Sequence, residues 1–506
     1  MDRAYDRFLK QLQNFCAVLV AGVGILACPA AGQQDLTAKS QLAKKALEER
    51  RYQEAVRLYT ELARAVPGNA GMQLNLGLAL HSAGRYRQAI GQFSAALKLD
   101  PALTPARVLM GIGYLKLGEP ANAVPPLQEA VKAEPGHRLA LLELADALLS
   151  LRRFEQAALD FHKLTEIDPA LAKAWQGLGL SYLGLSGQVF QALERAEPNS
   201  AHVLALVARS RAEQQQLRSA FHLYKQALAK NPSLRGIHTA LAEIYRQAGR
   251  ADWAEVEEER ERQLPPADCS NAPQECQFVA GRHDLVIAAE GQQPVAHYWK
   301  ARSYSELGLA AFRRLSELPA SAEIHELLAE ALRARGQHKL AAEELRQALQ
   351  LVPGNRRLEA ALAHSLWLSR EFETARPLLE RLLEADPASA QLNFELGDGY
   401  LQQQEPGKAL PWLEKAVRLN PSLSAARASL GRAYFRLGRA ADAIGHLEAA
   451  LPIDADASLH LQLSRAYQRA GKPEQARAML EKFEALSQTQ AAQQKLLEEQ
   501  RQITPP

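Results

Sequence analysis

The sequence predicts an all-α solenoid built from stacked helical hairpins. The main observation is a pattern that returns every thirty-four residues: Gly77 is followed by Gly111 at that distance. The proline that closes the same copy, Pro101, returns as Pro135. A fixed period of this size indicates repeats that bury their apolar faces mainly against their neighbours.

Each repeat reads as two amphipathic helices. Positions 4, 7, 8 and 11 of a unit share one face of a first helix, and positions 20, 24 and 27 share one face of a second. Proline at position 32 ends the second helix. At position 15, where the chain turns and a positive φ is easiest for glycine, stand Gly84, Gly118, Gly249, Gly336, Gly438 and Gly471.

Residues 1–32 predict a secretory signal peptide. Basic residues precede an apolar run over 15–28, which small residues follow. The run is shorter than the roughly 20 residues that a membrane-spanning helix needs. We therefore expect cleavage before Gln33, no membrane span and an exported, periplasmic protein.

Cys28 supports a second interpretation of this segment. Ile25 to Cys28 partly matches the motif that directs lipidation of a bacterial cysteine. Leu26 departs from that motif, because a small residue usually stands there. Ordinary cleavage is the favoured interpretation, and an outer-membrane lipoprotein facing the periplasm is the alternative.

The repeat register divides the mature chain into four parts. We predict an N-terminal lobe over 36–266, an irregular helical connector over 267–321, a C-terminal lobe over 322–486 and a polar capping tail over 487–506 that fades into disorder. The unit that starts at 172 is expected to have a shortened second helix.

The connector breaks the register and carries two cysteines. Cys269 and Cys276 predict a local disulfide in an exported protein, with reduced thiols or half of a metal site as the alternatives. A helical stretch and then a helix pair are expected to follow, the pair built on Tyr298, Trp299, Tyr304, Phe312 and Leu315.

These residues resemble the tetratricopeptide repeat family, in the form of an exported bacterial member. The resemblance covers about 400 residues and rests on internal recurrence of the motif. It implies a right-handed superhelix whose first helices line a concave groove that binds peptides or partner proteins.

The groove residues of the early repeats are apolar. Positions on the expected inner face hold Leu74, Leu78, Val108, Ile112 and Leu142. An exposed apolar strip would suit an extended or amphipathic partner segment. The alternative is that neighbouring helices cover these side chains.

Later repeats change the character of the groove. Trp367 and Phe394 add aromatic rings, and a basic, aromatic cluster follows on two successive first helices: Arg432, Phe435, Arg436, Arg465 and Arg469. Arginines there could bind carboxylates or phosphates. A solvated face with intramolecular partners is the alternative.

The sequence favours a scaffold over an enzyme. A net charge of +3, from 60 basic and 57 acidic residues, does not indicate a nucleic-acid binder. No catalytic, metal or cofactor motif is complete, so we predict a non-enzymatic scaffold that binds a protein or peptide in the cell envelope. The alternative is an accessory protein for polysaccharide synthesis or secretion, in which Trp367 and Phe394 would stack on sugars.

Overall fold

The polypeptide is a succession of α-helices. The computed structural model describes residues 30–291, 293–454, 457–498 and 503–506, and every regular element in these ranges is helical. Residues 1–29, with Cys28 and most of the predicted signal peptide, lie outside the described residues. The helices up to residue 262 are α1 Ala30–Glu48, α2 Tyr52–Ala65, α3 Ala70–Ser82, α4 Tyr86–Leu99, α5 Thr104–Lys116, α6 Pro120–Ala133, α7 Arg138–Ser150, α8 Phe154–Ile167, α9 Ala172–Ala196, α10 Ala201–Glu213, α11 Leu217–Lys230, α12 Ile237–Gln247 and α13 Ala251–Arg262.

The second half of the chain continues in the same way. None of the described helices is both long enough and apolar enough to cross a membrane. The remaining helices are α14 Pro273–Val279, α15 His283–Ala288, α16 Pro294–Ser316, α17 Ala322–Ala334, α18 His338–Leu351, α19 Arg356–Leu368, α20 Phe372–Ala385, α21 Ala390–Gln402, α22 Pro406–Leu419, α23 Ser424–Arg436, α24 Ala440–Ala450, a short 3₁₀ turn Leu451–Ile453, α25 Ser458–Arg469 and α26 Pro473–Glu498.

Packing divides the chain into two compact units. One contains the residues up to Gln188 together with Tyr304–Leu315, and the other contains Val189–Ser303 with Ser316–Pro506. Helices α9 and α16 supply residues to both units. The two lobes were predicted from the spacing of the repeats, whereas the compact units are defined by contacts between residues. The predicted lobe boundaries therefore stay a prediction.

The predicted helical hairpins are confirmed. In α3 and α4, Gly77 lies against the ring of Phe93, and a Cβ atom added at Gly77 would come within 2.5 Å of that ring. The next hairpin repeats the contact, with Gly111 against Leu127 at 2.4 Å. Glycine at position 8 therefore lets the two helices of a repeat approach closely.

The turn between the two helices has one conformation throughout. The predicted glycines at position 15 adopt positive φ angles, for example 75° at Gly84. Five repeats lack glycine at this position and adopt the same conformation with another residue: Arg50, Arg152, Gln215, Arg370 and Gln404, with φ between 58° and 65°. These five left-handed residues were not predicted from the sequence.

Polar side chains fix where several first helices begin. The side chain of Asn69 accepts a hydrogen bond from the Met72 amide at 3.1 Å, and Ser389 does the same for Leu392 at 3.3 Å. Such caps satisfy amides that have no partner within the helix.

The expected hairpin at 172 is wrong. Helix α9 runs unbroken from Ala172 to Ala196, and Ser186, not glycine, stands at the turn position. Within the first compact unit, a Cβ added at Gly179 would lie 2.4 Å from Phe312 of α16, and one added at Gly308 would lie 3.2 Å from the Gly179 carbonyl. The C-terminal part of α16 therefore packs on α9 in the manner of a second helix.

The connector also differs from expectation. Tyr298 and Phe312 lie on one continuous helix, α16, and not on a helix pair. The preceding segment forms the short helices α14 and α15. Cys269 and Cys276 are placed as a disulfide pair, with Cα atoms 5.6 Å apart.

Candidate partner-binding surface

The apolar groove residues of the early repeats are buried. Leu74 and Leu78 lie in a core cluster with residues of α2 and α4, while Val108 and Ile112 pack with Ala140 of the next first helix. The alternative in which neighbouring helices cover these side chains is the one that the structure shows. The physical reason is that first helices of successive repeats contact one another, so their intervening positions become core.

Leu142 follows the same rule. It is buried in a cluster with α8 and the N-terminal half of α9. Phe394, in a later repeat, is also buried. These six apolar side chains stabilise the stack and present no free surface to a partner.

Trp367 is held in a polar and aromatic network. Its ring stacks on His364 at 5.9 Å and meets the edge of Phe394 at 5.4 Å. The indole Nε1 donates a hydrogen bond to Asp398 Oδ2 at 3.2 Å. Ser429 Oγ of the next first helix donates to the other oxygen of Asp398 at 2.7 Å.

A second buried carboxylate lies one helical turn away. Glu395 Oε1 is 2.6 Å from His364 Nδ1 and accepts a hydrogen bond from Gln391 Nε2 at 2.7 Å. Sequence reasoning missed both carboxylates. The available signal was a pair of acids, Glu395 and Asp398, spaced i, i+3 beside the packing glycine of a first helix.

Tyrosines at position 11 make a repeated contact that was also missed. Tyr400 donates to Glu380 Oε1 at 3.1 Å, and Tyr434 donates to Glu414 Oε1 at 2.7 Å, each across twenty residues. Burial, followed by the bond to Glu414, raises the pKa of Tyr434 to about 12, so the hydroxyl remains a donor near neutral pH. These contacts tie each first helix to the preceding second helix.

The predicted basic cluster is brought together on two neighbouring first helices, α23 and α25. We call Arg432, Phe435, Arg436, Arg465 and Arg469 the arginine surface. The Arg469 guanidinium lies 4.3 Å from the centre of the Phe435 ring, which joins the two helices. Such an arrangement is a cation–π contact.

No described acidic residue forms an ion pair with the arginine surface. Arg432 Nε donates to the amide oxygen of Gln462 at 3.1 Å, and Arg436 donates to the Leu401 carbonyl at 2.7 Å. Among the described residues none of the four arginines forms an ion pair, and Arg465 is exposed without a hydrogen-bond partner. By contrast, Arg439 on the adjoining turn pairs with Asp442 at 2.7 Å.

The alternative, in which groups of the same chain bind these arginines, holds in part. Arg432 and Arg436 donate to neutral acceptors of the same chain. A neutral acceptor orients an arginine but leaves its charge available to an anion. No group of three or more His, Cys, Asp and Glu side chains is gathered to hold a metal ion within the described part of the chain.

Comparison with known protein families matches two parts of the chain, on either side of residues 173–296. A tetratricopeptide repeat family model matches residues 40–103, 108–172, 297–356 and 360–424, together just over half of the chain. The chain belongs to the tetratricopeptide repeat family. Two further models of this family match residues 400–463 and 457–482, so the arginine surface lies within matched repeats.

Curated relatives match only part of this tetratricopeptide repeat protein. DnaJ homolog subfamily C member 7 of Mus musculus is 26% identical over 117 residues, which is 23% of this chain and 22% of the relative. A probable UDP-N-acetylglucosamine–peptide N-acetylglucosaminyltransferase, SPINDLY of Hordeum vulgare, is 26% identical over 139 residues, covering 26% and 15%. The chain therefore spans less than a quarter of either relative.

Comparison with solved structures gives matches of low identity and low TM-score. MamA from Desulfovibrio magneticus is 19% identical, covers 33% of this chain and 96% of its own, and has a TM-score of 0.30. The structure of the APC/C hetero-tetramer Cut9-Hcn1 is 14% identical over 92% of this chain and 96% of that chain, with a TM-score of 0.31.

Proposed function

We propose that this tetratricopeptide repeat protein is a non-enzymatic scaffold that binds an acidic segment of a partner protein through the arginine surface. The single observation that supports the proposal is the set of four neighbouring arginines without an ion pair among the described residues. Phe435 contributes an aromatic face between them. Arginine, with its rigid fork of donors, suits carboxylates, and electrostatic complementarity supplies specificity and association rate.

Charge reversal at Arg465 is the cleanest test. Because Arg465 forms no hydrogen bond or ion pair among the described residues, Arg465→Glu removes no such bond while it inverts one charge. Combined with Arg469→Glu, it should weaken binding of a fluorescent Asp/Glu-rich peptide about tenfold in fluorescence polarisation. Binding to the wild type should also weaken as salt is raised.

Arg418→Glu is the matched control. Arg418 is exposed near the C-terminal end of α22, a second helix, and lies outside the arginine surface. The control should bind the peptide as the wild type does. Equal binding by the wild type and the Arg465→Glu, Arg469→Glu variant would reject the arginine surface as the acidic-segment site.

We also propose that the protein works in the cell envelope, with the Cys269–Cys276 pair oxidised. The proposal is supported by the signal-like segment 1–32 and by the placement of the two sulfur atoms as a disulfide. The intact mass of the protein purified from its native host should show cleavage before Gln33. It should also show the mass decrease that accompanies oxidation of the two thiols to a disulfide. A diacylglyceryl mass on Cys28 would instead establish the lipoprotein alternative.

The polysaccharide alternative has no specific observation in its favour. Phe394 is buried, and Trp367 is engaged with His364, Phe394 and Asp398. Phe394 is therefore not a free stacking platform, and the half-buried Trp367 already stacks on His364. A protein partner is therefore the function proposed here.

A further inference from the structure

The segment Ile503–Pro506 packs back onto the second compact unit. Ile503 is half-buried against the core cluster that contains Phe221, Tyr224, Tyr245 and Trp299. The Tyr245 hydroxyl donates a hydrogen bond to the Thr504 carbonyl at 2.6 Å. The sequence predicted a disordered polar end here, so this contact is a finding of the structure.

Tyr245 offers a fixed donor to this segment. Its ring is fully buried and lies edge-to-face with Phe221 at 5.6 Å and with Trp253 at 5.5 Å. The neighbouring rings leave the hydroxyl little freedom to turn away. Burial raises the pKa of Tyr245 to about 12, which keeps the hydroxyl protonated near neutral pH.

The pattern of burial fits an extended, left-handed peptide. Ile503 and Pro506 are half-buried, whereas Thr504 and Pro505 are exposed. A polyproline II helix has three residues per turn, so residues i and i+3 share one face. The two prolines fix their own φ angles, and Pro505 also restricts Thr504 to extended conformations. Such a segment loses little conformational entropy on docking.

We propose that the surface around Tyr245 is a binding site for an extended apolar peptide with two consecutive prolines, and that Ile503–Pro506 of the same molecule occupies it. Ile503 and Pro506 supply the two apolar anchors, and the Tyr245 hydroxyl donates a hydrogen bond to the Thr504 carbonyl between them. The site is separate in sequence and in contacts from the arginine surface, so it extends the proposed function to a second binding element.

Hydroxyl-radical footprinting read by mass spectrometry tests the proposal on the full chain. In a variant that lacks residues 503–506, oxidation of Tyr245 should rise about fivefold, because local protection is lost where the segment is absent. Tyr224 is buried in the same cluster without a hydrogen bond to the segment, and its oxidation should not change. Adding acetyl-Ile-Thr-Pro-Pro peptide at millimolar concentration should restore protection of Tyr245.

Three substitutions separate docking from a general loosening of the unit. Ile503→Asp in the full chain should expose Tyr245 as the deletion does, since an unpaired carboxylate cannot enter an apolar site. Leu486→Asp, at an exposed apolar residue of α26, is the matched control and should leave Tyr245 protected. Tyr245→Phe should raise oxidation of Ile503 about fivefold, through the loss of one hydrogen bond.

Each remaining outcome counts against the proposal. Equal oxidation of Tyr245 with and without residues 503–506 would show that the segment does not dock. Failure of the added peptide to protect Tyr245, or equal protection by a peptide with Asp in place of Ile, would show that the surface has no such specificity. Protection that appears only in a dimer, as measured by light scattering, would replace docking within one molecule by exchange between two copies.

Discussion

Two glycine-to-alanine substitutions in one hairpin should have opposite effects on stability. Gly77 of α3 faces Phe93, and an added Cβ would lie 2.5, 2.7 and 3.2 Å from three carbons of that ring. Gly91 of α4 has nothing within 4 Å of an added Cβ. Both glycines are helical and both belong to the same repeat, so they share a context and differ in the space available.

The magnitude follows from two opposing terms. In either helix, alanine gains about 1 kcal/mol over glycine from helix propensity. At Gly77 the added methyl group must displace the Phe93 ring, which is fully buried. Overpacking of this kind costs typically 1–3 kcal/mol, and the ring contact belongs at the upper end of that range. We therefore expect Gly77→Ala to lose about 1–2 kcal/mol net and Gly91→Ala to gain about 1 kcal/mol.

Urea unfolding followed by far-UV circular dichroism measures the difference. Because a repeat array can unfold in parts, the shift in midpoint is the quantity to compare, with the slope checked for each variant. Gly77→Ala should unfold at lower urea than the wild type and Gly91→Ala at higher urea. A Gly77→Ala protein as stable as Gly91→Ala would refute the close approach of α3 and α4 at Phe93.

Three further predictions concern other parts of the chain. Arg370 holds a positive φ of 65°, so Arg370→Gly should raise stability by about 1 kcal/mol, whereas Gly84→Ala should lower it by a similar amount; thermal unfolding measures both. Burial, and then the charge of Asp146, raise the pKa of Glu143 to about 7. A carboxyl whose folded pKa exceeds its unfolded pKa favours the folded state below the unfolded value, and that advantage is lost as pH rises through about 7. Glu143→Gln should therefore raise the urea midpoint at pH 8, equivalent to roughly 2–3 kcal/mol, and change it little at pH 5; a gain of the same size at both pH values would contradict this assignment. Trp367→Phe keeps the stacked ring but removes the donor to buried Asp398, and should cost about 1 kcal/mol in urea unfolding; no loss would show that the bond does not contribute.

The boundaries of the repeats could be predicted from the sequence because they depend on residues that act within a single hairpin. Small residues at position 8, a turn at position 15 and a proline after the second helix each act within one hairpin. Position 15 shows the limit of the rule, because Arg152 and Arg370 adopt the glycine conformation without being glycine. A neighbouring pair of well-packed helices imposes the turn even where the residue does not favour it.

The irregular region could not be read in the same way. Helix α9 continues through the position where other repeats turn, and its packing partner in the first unit comes from α16, more than a hundred residues later. A local pattern carries no information about such a distant partner. The docking of Ile503 beside Tyr245 was missed for the same reason, since it joins residues more than 250 positions apart in the chain.

By itself, the sequence determined the helical class, the hairpin register and the clustering of Arg432, Phe435, Arg436, Arg465 and Arg469 on two first helices. Those features follow from periodicity and from residues that favour or prevent helix, which act over a few turns. Only the tertiary structure decided which of the predicted groove side chains are covered: Leu78 and Ile112 became core, while Arg465 remained exposed. The physical reason is that exposure depends on how closely successive repeats stack, and that spacing is set by contacts between helices and not by the pattern within either one.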